Sequence, residues 1–319
     1  MSNQTAITEF LLLGFSDVWE MYILHFVLFL VIYLATLMWN FLIIITAVTL
    51  DHHFHTPMHF FLMNLSILDL SSISVTIPKS MINSLMNTRL ISYSGCVAQV
   101  FLFMFFGLAD VALLTVMVYY QYVAICQPLH YDTIMNMRAC VQMAASAWIS
   151  GLLNSAMLTG NTFAISFCKG NMVDQFFCEI PQILKLSCSD SYLSETVTIA
   201  LSSCLVFSCF VLIIMSYVQI FKMVLRIPSE QGRHRAFSTC LPHLIVVSLF
   251  IFPGTIAYLK STSSSASILD LVVAVIYTLV PPVMNPIIYS MRNKEIKATL
   301  WKIMGLRLIS KNKMPTFPL

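Results

Sequence analysis

Apolar stretches long enough to cross a bilayer recur seven times along this chain, and that recurrence leaves few folds open to it. The clearest runs from Cys96 to Cys126, CVAQVFLFMFFGLADVALLTVMVYYQYVAIC, almost wholly apolar and free of proline. At about 1.5 Å per residue such a helix crosses the roughly 30 Å hydrocarbon core with a turn or two to spare. The other runs lie near residues 24–50, 58–80, 140–160, 197–221, 236–259 and 268–290. With 58% hydrophobic and 10% charged residues and a mean hydropathy of +0.84, the composition is that of a multi-span membrane protein, not a soluble domain. The expected fold is an all-α membrane protein, a seven-transmembrane helix bundle.

Residues 1–23 form a polar-to-mixed arm with an N-glycosylation sequon at Asn3, 24–290 the seven-span body, and 291–319 a tail. The arm lacks the basic start and small-residue cleavage site of a signal peptide, so the first run reads as an uncleaved span. Seven spans put the termini on opposite sides. With the arm outside, twelve Lys and Arg face the cytosol (Arg138, Lys222, Arg226, Arg233, Arg235, Arg292, Lys294, Lys297, Lys302, Arg307, Lys311 and Lys313). Five (Lys79, Arg89, Lys169, Lys185, Lys260) face the other way, which supports an outer N-terminus and a cytosolic tail. From Asn293 to Leu306, basic residues alternate with Ile296, Leu300, Trp301, Ile303 and Met304, the pattern of a short amphipathic helix on the cytosolic lipid surface. A net charge of +3 does not suggest a nucleic-acid partner.

Of nine cysteines, Cys96, Cys168, Cys178 and Cys188 fall at or beyond the outer surface, where disulfides persist. Four cysteines permit three pairings; Cys96 tops the third span and Cys178 sits mid-loop, which favours Cys96 with Cys178 and leaves Cys168 with Cys188. Asp69 and Asp110 lie inside the membrane at similar depth in adjacent spans, and an ionisable group there is a functional hypothesis by default. A monovalent cation shared by the two, with Asn40 and Asn285 nearby, is one reading; two protonated, hydrogen-bonded acids in a helix interface is the other. His52, His53, His55 and His59 lack ligand spacing and read as a solvated cytosolic loop, not a metal site. No phosphate loop, nucleophile elbow or Ser, His and Asp set is present, so no enzyme is expected. Pro253 in the sixth span and Pro281, Pro282 and Pro286 in the seventh free backbone carbonyls and create pivots.

The stretches HTPMHFFLMNLSILDL (55–70), VAIC followed by QPLHY (123–131), Ser216-Tyr217, HRAFSTCLPHL (234–244) and PPVMNPIIYSMRNKEI (281–296) resemble the rhodopsin-like (class A) G-protein-coupled receptors, and among them the odorant receptors. The three-cysteine outer loop ending FFCEIPQILKLSC is similar too. The resemblance covers nearly the whole chain. It implies a plasma-membrane receptor that binds a small volatile odorant in the outer half of the bundle and activates a stimulatory olfactory-type G protein to raise cyclic AMP. Phe101, Met104, Phe105 and Leu108 on the third span, Leu201 and Leu205 on the fifth, Ile256 and Tyr258 on the sixth and Thr278 on the seventh are the expected pocket residues. Phe103 stands where amine receptors of this class keep an acid, which argues against an aminergic ligand. The resemblance also makes Asp69 and Asp110 a sodium-like site with Asn285. Asn285, Pro286 and Tyr289 match the switch of the seventh span, with Tyr217 as partner.

Three departures stand out. Where odorant receptors read MAYDRYVAIC this chain reads MVYYQYVAIC, so Tyr120 replaces the acid and Gln121 the arginine ahead of Tyr122. Neither residue makes the resting ion pair, and Gln121 lacks the charge for a charge-assisted contact with a G protein. The alternative to a signalling receptor is therefore one with weak, constitutive or absent coupling; a transporter or channel using the two acids is a lesser one. Trp39 takes a place that is usually glycine before Asn40. Pro253 replaces a tyrosine in the sixth span.

Overall fold

The computed structural model describes residues 7–12, 19–54, 57–86, 88–168, 170–188, 193–226, 229–260 and 268–292. Within them the apolar runs become seven long helices: α1 (Trp19–Phe54), α2 (Pro57–Met86), α3 (Tyr93–Cys126), α4 (Met137–Phe163), α5 (Leu193–Leu225), α6 (Glu230–Lys260) and α7 (Ile268–Arg292). Side-chain oxygens close the starts of two of them. Ser92 accepts from the Gly95 amide at 3.1 Å and Asn136 from the Ala139 amide at 2.9 Å, each satisfying an orphan first-turn donor.

Five of the seven, α1, α2, α3, α5 and α7, are long and apolar enough to cross a membrane. This narrows the expectation of seven. The cause lies in two sequences: α4 carries Gln142, Ser146, Asn154, Thr159 and Asn161, and the first half of α6 carries Arg233, His234, Arg235 and His243. Its apolar segment Leu244–Thr255 runs up to residues whose side chains lie outside the described ones.

The helices pack around α3. Its tightest neighbour is α4, where the α-carbon of Gly151 comes so close that a β-carbon there would lie 2.9 Å from both the Ala109 nitrogen and the Phe105 carbonyl oxygen. Ile43, Leu65, Leu113, Tyr217 and Val246 then fill the core at one end of the bundle. Trp39 packs against that core from α1.

The other end carries a cap in which the arm takes a direct part. Strand β1 (Glu9–Leu12) lies between β2 (Leu90–Ser92), antiparallel, and β3 (Met172–Val173), parallel. Alternation in EFLL buries Phe10 and Leu12, and Phe10 stacks on Tyr93 with ring centroids 6.0 Å apart. Disulfides join Cys96 to Cys178 and Cys168 to Cys188.

Two local expectations change. His52 and His53 belong to helix α1, with side chains outside the described residues, and His59 is buried in α2, so these three are not in a loop; His55 lies outside the described residues. Asn3 and the amphipathic stretch from Asn293 to Leu306 also lie outside them.

Candidate functional site

A cavity of about 520 Å³ opens among α2, α3, α5, α6 and α7. Its walls are mostly aromatic and aliphatic: Phe103, Phe106 and Leu108 from α3, Phe207 and Phe210 from α5, Phe250 and Phe252 from α6. A few hydroxyls interrupt them, at Ser72, Ser202, Ser203, Thr255 and Tyr277. Such a lining suits a small neutral ligand held by shape, with one or two hydrogen bonds to orient it.

Asp69 and Asp110 border the same cavity. Both are buried, and Asn285 donates to both carboxylate oxygens of Asp69, at 3.0 and 3.2 Å. Asp110 Oδ1 is buried without a hydrogen-bond partner. Carboxylate oxygens are hard donors, and of the two acids it is Asp110 that keeps an oxygen without a partner. Asn40, expected near them, spends its amide on two backbone carbonyls, one of them that of the cavity-lining Pro282. Its Nδ2 donates to the Thr36 carbonyl at 3.0 Å and to the Pro282 carbonyl at 3.1 Å. Among the described residues no group of three or more His, Cys, Asp or Glu is placed to hold a metal.

The cap reaches the cavity through its loop. Phe177, fully buried, packs edge-on against Phe103 at 5.1 Å and against Tyr277 at 6.5 Å, and both partners line the cavity. The loop is fastened on three sides. Ser80 of α2 donates to the Phe176 carbonyl at 3.0 Å; Gln99 of α3 accepts from the Cys178 amide at 2.8 Å while donating to the Val75 carbonyl at 3.0 Å. On α7, the Tyr277 hydroxyl donates to Glu179 Oε2. Glu179 is buried, which pushes its carboxyl above the usual carboxylate range, against the pull of its Tyr277 and Gln175 hydrogen bonds. Sequence reading missed Ser80, Gln99 and Glu179. Gln99 carried a signal, an amide one turn from Cys96 in an otherwise apolar run.

At the opposite end of α3, Tyr120 and Tyr131 join their hydroxyls at 2.8 Å, with Tyr131 as donor, and Phe61 packs edge-on to Tyr120. Gln121 Oε1 is buried without a hydrogen-bond partner, and Tyr122 accepts from Gln127 Nε2 at 3.4 Å. Tyr217 is buried and stacks on Phe221. The Tyr289 side chain lies outside the described residues.

The expected pocket residues divide. Met104 and Leu108 line the cavity. Phe101 and Phe105 are not among the lining residues: their rings stack on each other at 6.3 Å, and the Phe105 ring meets Trp148 of α4 at 5.7 Å. The apolar stripe chosen by spacing straddled two faces of α3, and the cavity face runs through Phe103, Gly107 and Val111 instead. Leu201 and Leu205 are 58% and 40% exposed, on the outer surface of α5, and the cavity takes Ile199, Ser202 and Val206. Thr278 is buried away from the cavity, next to the lining residue Tyr277. The side chains of Ile256 and Tyr258 lie outside the described residues; Thr255 of the same helix lines the cavity.

The olfactory receptor family model matches residues 29–307. Human olfactory receptor 14A16 is 53% identical over 311 residues, 98% of this chain and 100% of its own length. Human olfactory receptor 14I1 is 53% identical over 303 residues, 95% of this chain and 97% of its own. Mouse olfactory receptor 4E2 is 41% identical over 308 residues, covering 97% and 99%.

Proposed function

The chain belongs to the olfactory receptor family, a class of receptors and not of enzymes, and we propose that it binds a small, mostly apolar odorant in the cavity bordered by α3, α5, α6 and α7. The observation that carries this reading is that cavity: an aromatic and aliphatic lining with a few hydroxyls, roofed by Phe177 and running down to two acids. The protein sits in the plasma membrane with seven spans, its disulfide-bearing cap outside and its basic tail in the cytosol, where a stimulatory olfactory-type G protein raises cyclic AMP. Asn3 of the arm carries a glycan in that orientation. A ligand acts by binding one arrangement of the helices better than another, and the proline-interrupted α7 beside the cavity is the element it biases.

A sodium ion belongs to the resting arrangement. Asp69 and Asp110 hold it, and Asn285 orients Asp69. The ion offsets two acid charges in a site of low dielectric.

A second reading is a receptor that binds but does not signal. It is favoured by the cytosolic end of α3, where Tyr120 is engaged with Tyr131 and Gln121 offers no charge. The test is cyclic AMP in cells supplied with an olfactory-type G protein, across an odorant panel at matched surface expression. The native chain is set against the double variant Tyr120→Asp, Gln121→Arg. A native response supports the signalling receptor. A response from the double variant alone means that the cavity binds while the native switch is silent.

A further inference from the structure

The walls of the cavity are unequal. On the cap side Phe177, itself fully buried, closes against Phe103 and Tyr277, and the loop that bears it is held by the Cys96–Cys178 disulfide and by Ser80 and Gln99. On the side of α5 and α6, residues that line the cavity are also open to the outside of the bundle: Phe207 is 65% and Phe252 57% exposed, and Ser203 and Thr255 are exposed with them. The seam between these helices is bridged by an edge-on contact of Phe210 with Phe252 at 6.4 Å. Helix α5 packs far more extensively on α3 than on α6. Phe252 is eight residues from the cap end of α6, about 12 Å along its axis, and so faces hydrocarbon, not water.

We infer that the cavity fills from the bilayer, through the seam between α5 and α6, so that its ligands are neutral molecules that have first partitioned into the membrane. The inference rests on the reading of this cavity as the ligand site. An aromatic seam at that depth passes an apolar molecule with little desolvation and refuses a charged one, which has to cross hydrocarbon to reach it. The bilayer also concentrates the ligand, so potency follows membrane partitioning as well as fit. Entry and exit share the seam, and bulk placed there slows both alike.

The test needs neither an odorant nor a G protein, so its failure is distinct from failure of the receptor reading. The five cysteines outside the disulfides are replaced by alanine, a reporter thiol is placed in the cavity by Met104→Cys, and the full chain is embedded in phosphatidylcholine nanodiscs. Three thiosulfonates are compared: neutral methyl, anionic sulfonatoethyl and cationic trimethylammonioethyl. Each labelling rate is normalised to that with a free thiol in water. The neutral reagent is expected to lead both charged ones by about tenfold, and bulk in the seam to slow it about fivefold. Two seam variants supply that bulk: Phe252→Trp, and Gly254→Leu, whose new β-carbon meets no protein atom within 4 Å. Ser202→Cys is the second reporter should Met104→Cys fail to fold. Charged reagents that keep pace with the neutral one overturn the inference. So do seam variants that leave the neutral rate unchanged.

Discussion

Asn40 of α1 donates to the carbonyl of Pro282 at 3.1 Å, and this is the carbonyl that Pro286 strands. In an uninterrupted helix the amide of residue 286 would occupy it; proline has none. The bond ties α1 to α7 at the break and satisfies a buried acceptor. Removing a partner from a buried polar group costs roughly 1–3 kcal/mol. Asn40→Leu is therefore expected to lower the thermal midpoint of the purified chain, whereas Pro286→Ala, which restores the helical donor, makes the Asn40 substitution less damaging. Thermal unfolding of the two single variants and the double variant checks this, and additive losses would refute the link.

Much of the helical scaffold was legible because hydropathy averages over many residues, and local errors cancel. Every one of the apolar runs lies inside a long helix. Which face a residue shows is a different matter, decided by about 100° of rotation per residue. That is why spacing puts Phe101 and Phe105 on the cavity while neither lines it and Phe105 meets Trp148 of α4, and why Leu201 and Leu205 lie on the outside with Ser202 between them. The cap was hidden for another reason. Its strands of four, three and two residues gain their order from pairing across the chain, and no local pattern announces a parallel partner 161 residues away.

If Asp69 and Asp110 share a sodium ion, sodium stabilises the folded chain by mass action. At ten times its dissociation constant a bound ion adds about 1.4 kcal/mol. Exchanging choline for sodium at constant ionic strength is expected to raise the thermal midpoint of the native chain and to leave that of Asp110→Asn unmoved. The same rise in both would place the effect elsewhere.

Glu179 gives the cap a pH dependence. Burial raises its carboxyl pKa, so between the unfolded value near 4.5 and the higher folded value the native chain keeps a proton that the unfolded chain has released. Stability is then fully present below that window and is lost as pH rises through it. Glu179→Gln retains a carbonyl acceptor for the Tyr277 hydroxyl but does not titrate. Across pH 4.5 to 8 the native chain is expected to lose thermal stability more steeply than the variant. Parallel curves would remove Glu179 from the account.

Two glycines of α4 provide a matched pair. At Gly151 an added β-carbon would sit 2.9 Å from backbone atoms of α3, and backbone cannot swing aside as a side-chain tip does. Gly151→Ala must push the two helices apart, and overpacking of this kind costs about 1–3 kcal/mol. At Gly160, in the last turns of the same helix, a β-carbon meets nothing within 4 Å. There alanine only removes backbone freedom from the unfolded chain, a gain of about 0.5–1 kcal/mol. Opposite shifts in thermal midpoint are thus expected from one substitution made nine residues apart. Because α3 bears cavity residues next to this crossing, Gly151→Ala should also slow or weaken ligand responses at matched surface expression, and Gly160→Ala should not. Two variants moving in the same direction would show that helix propensity, not the approach of α4 to α3, governs this crossing.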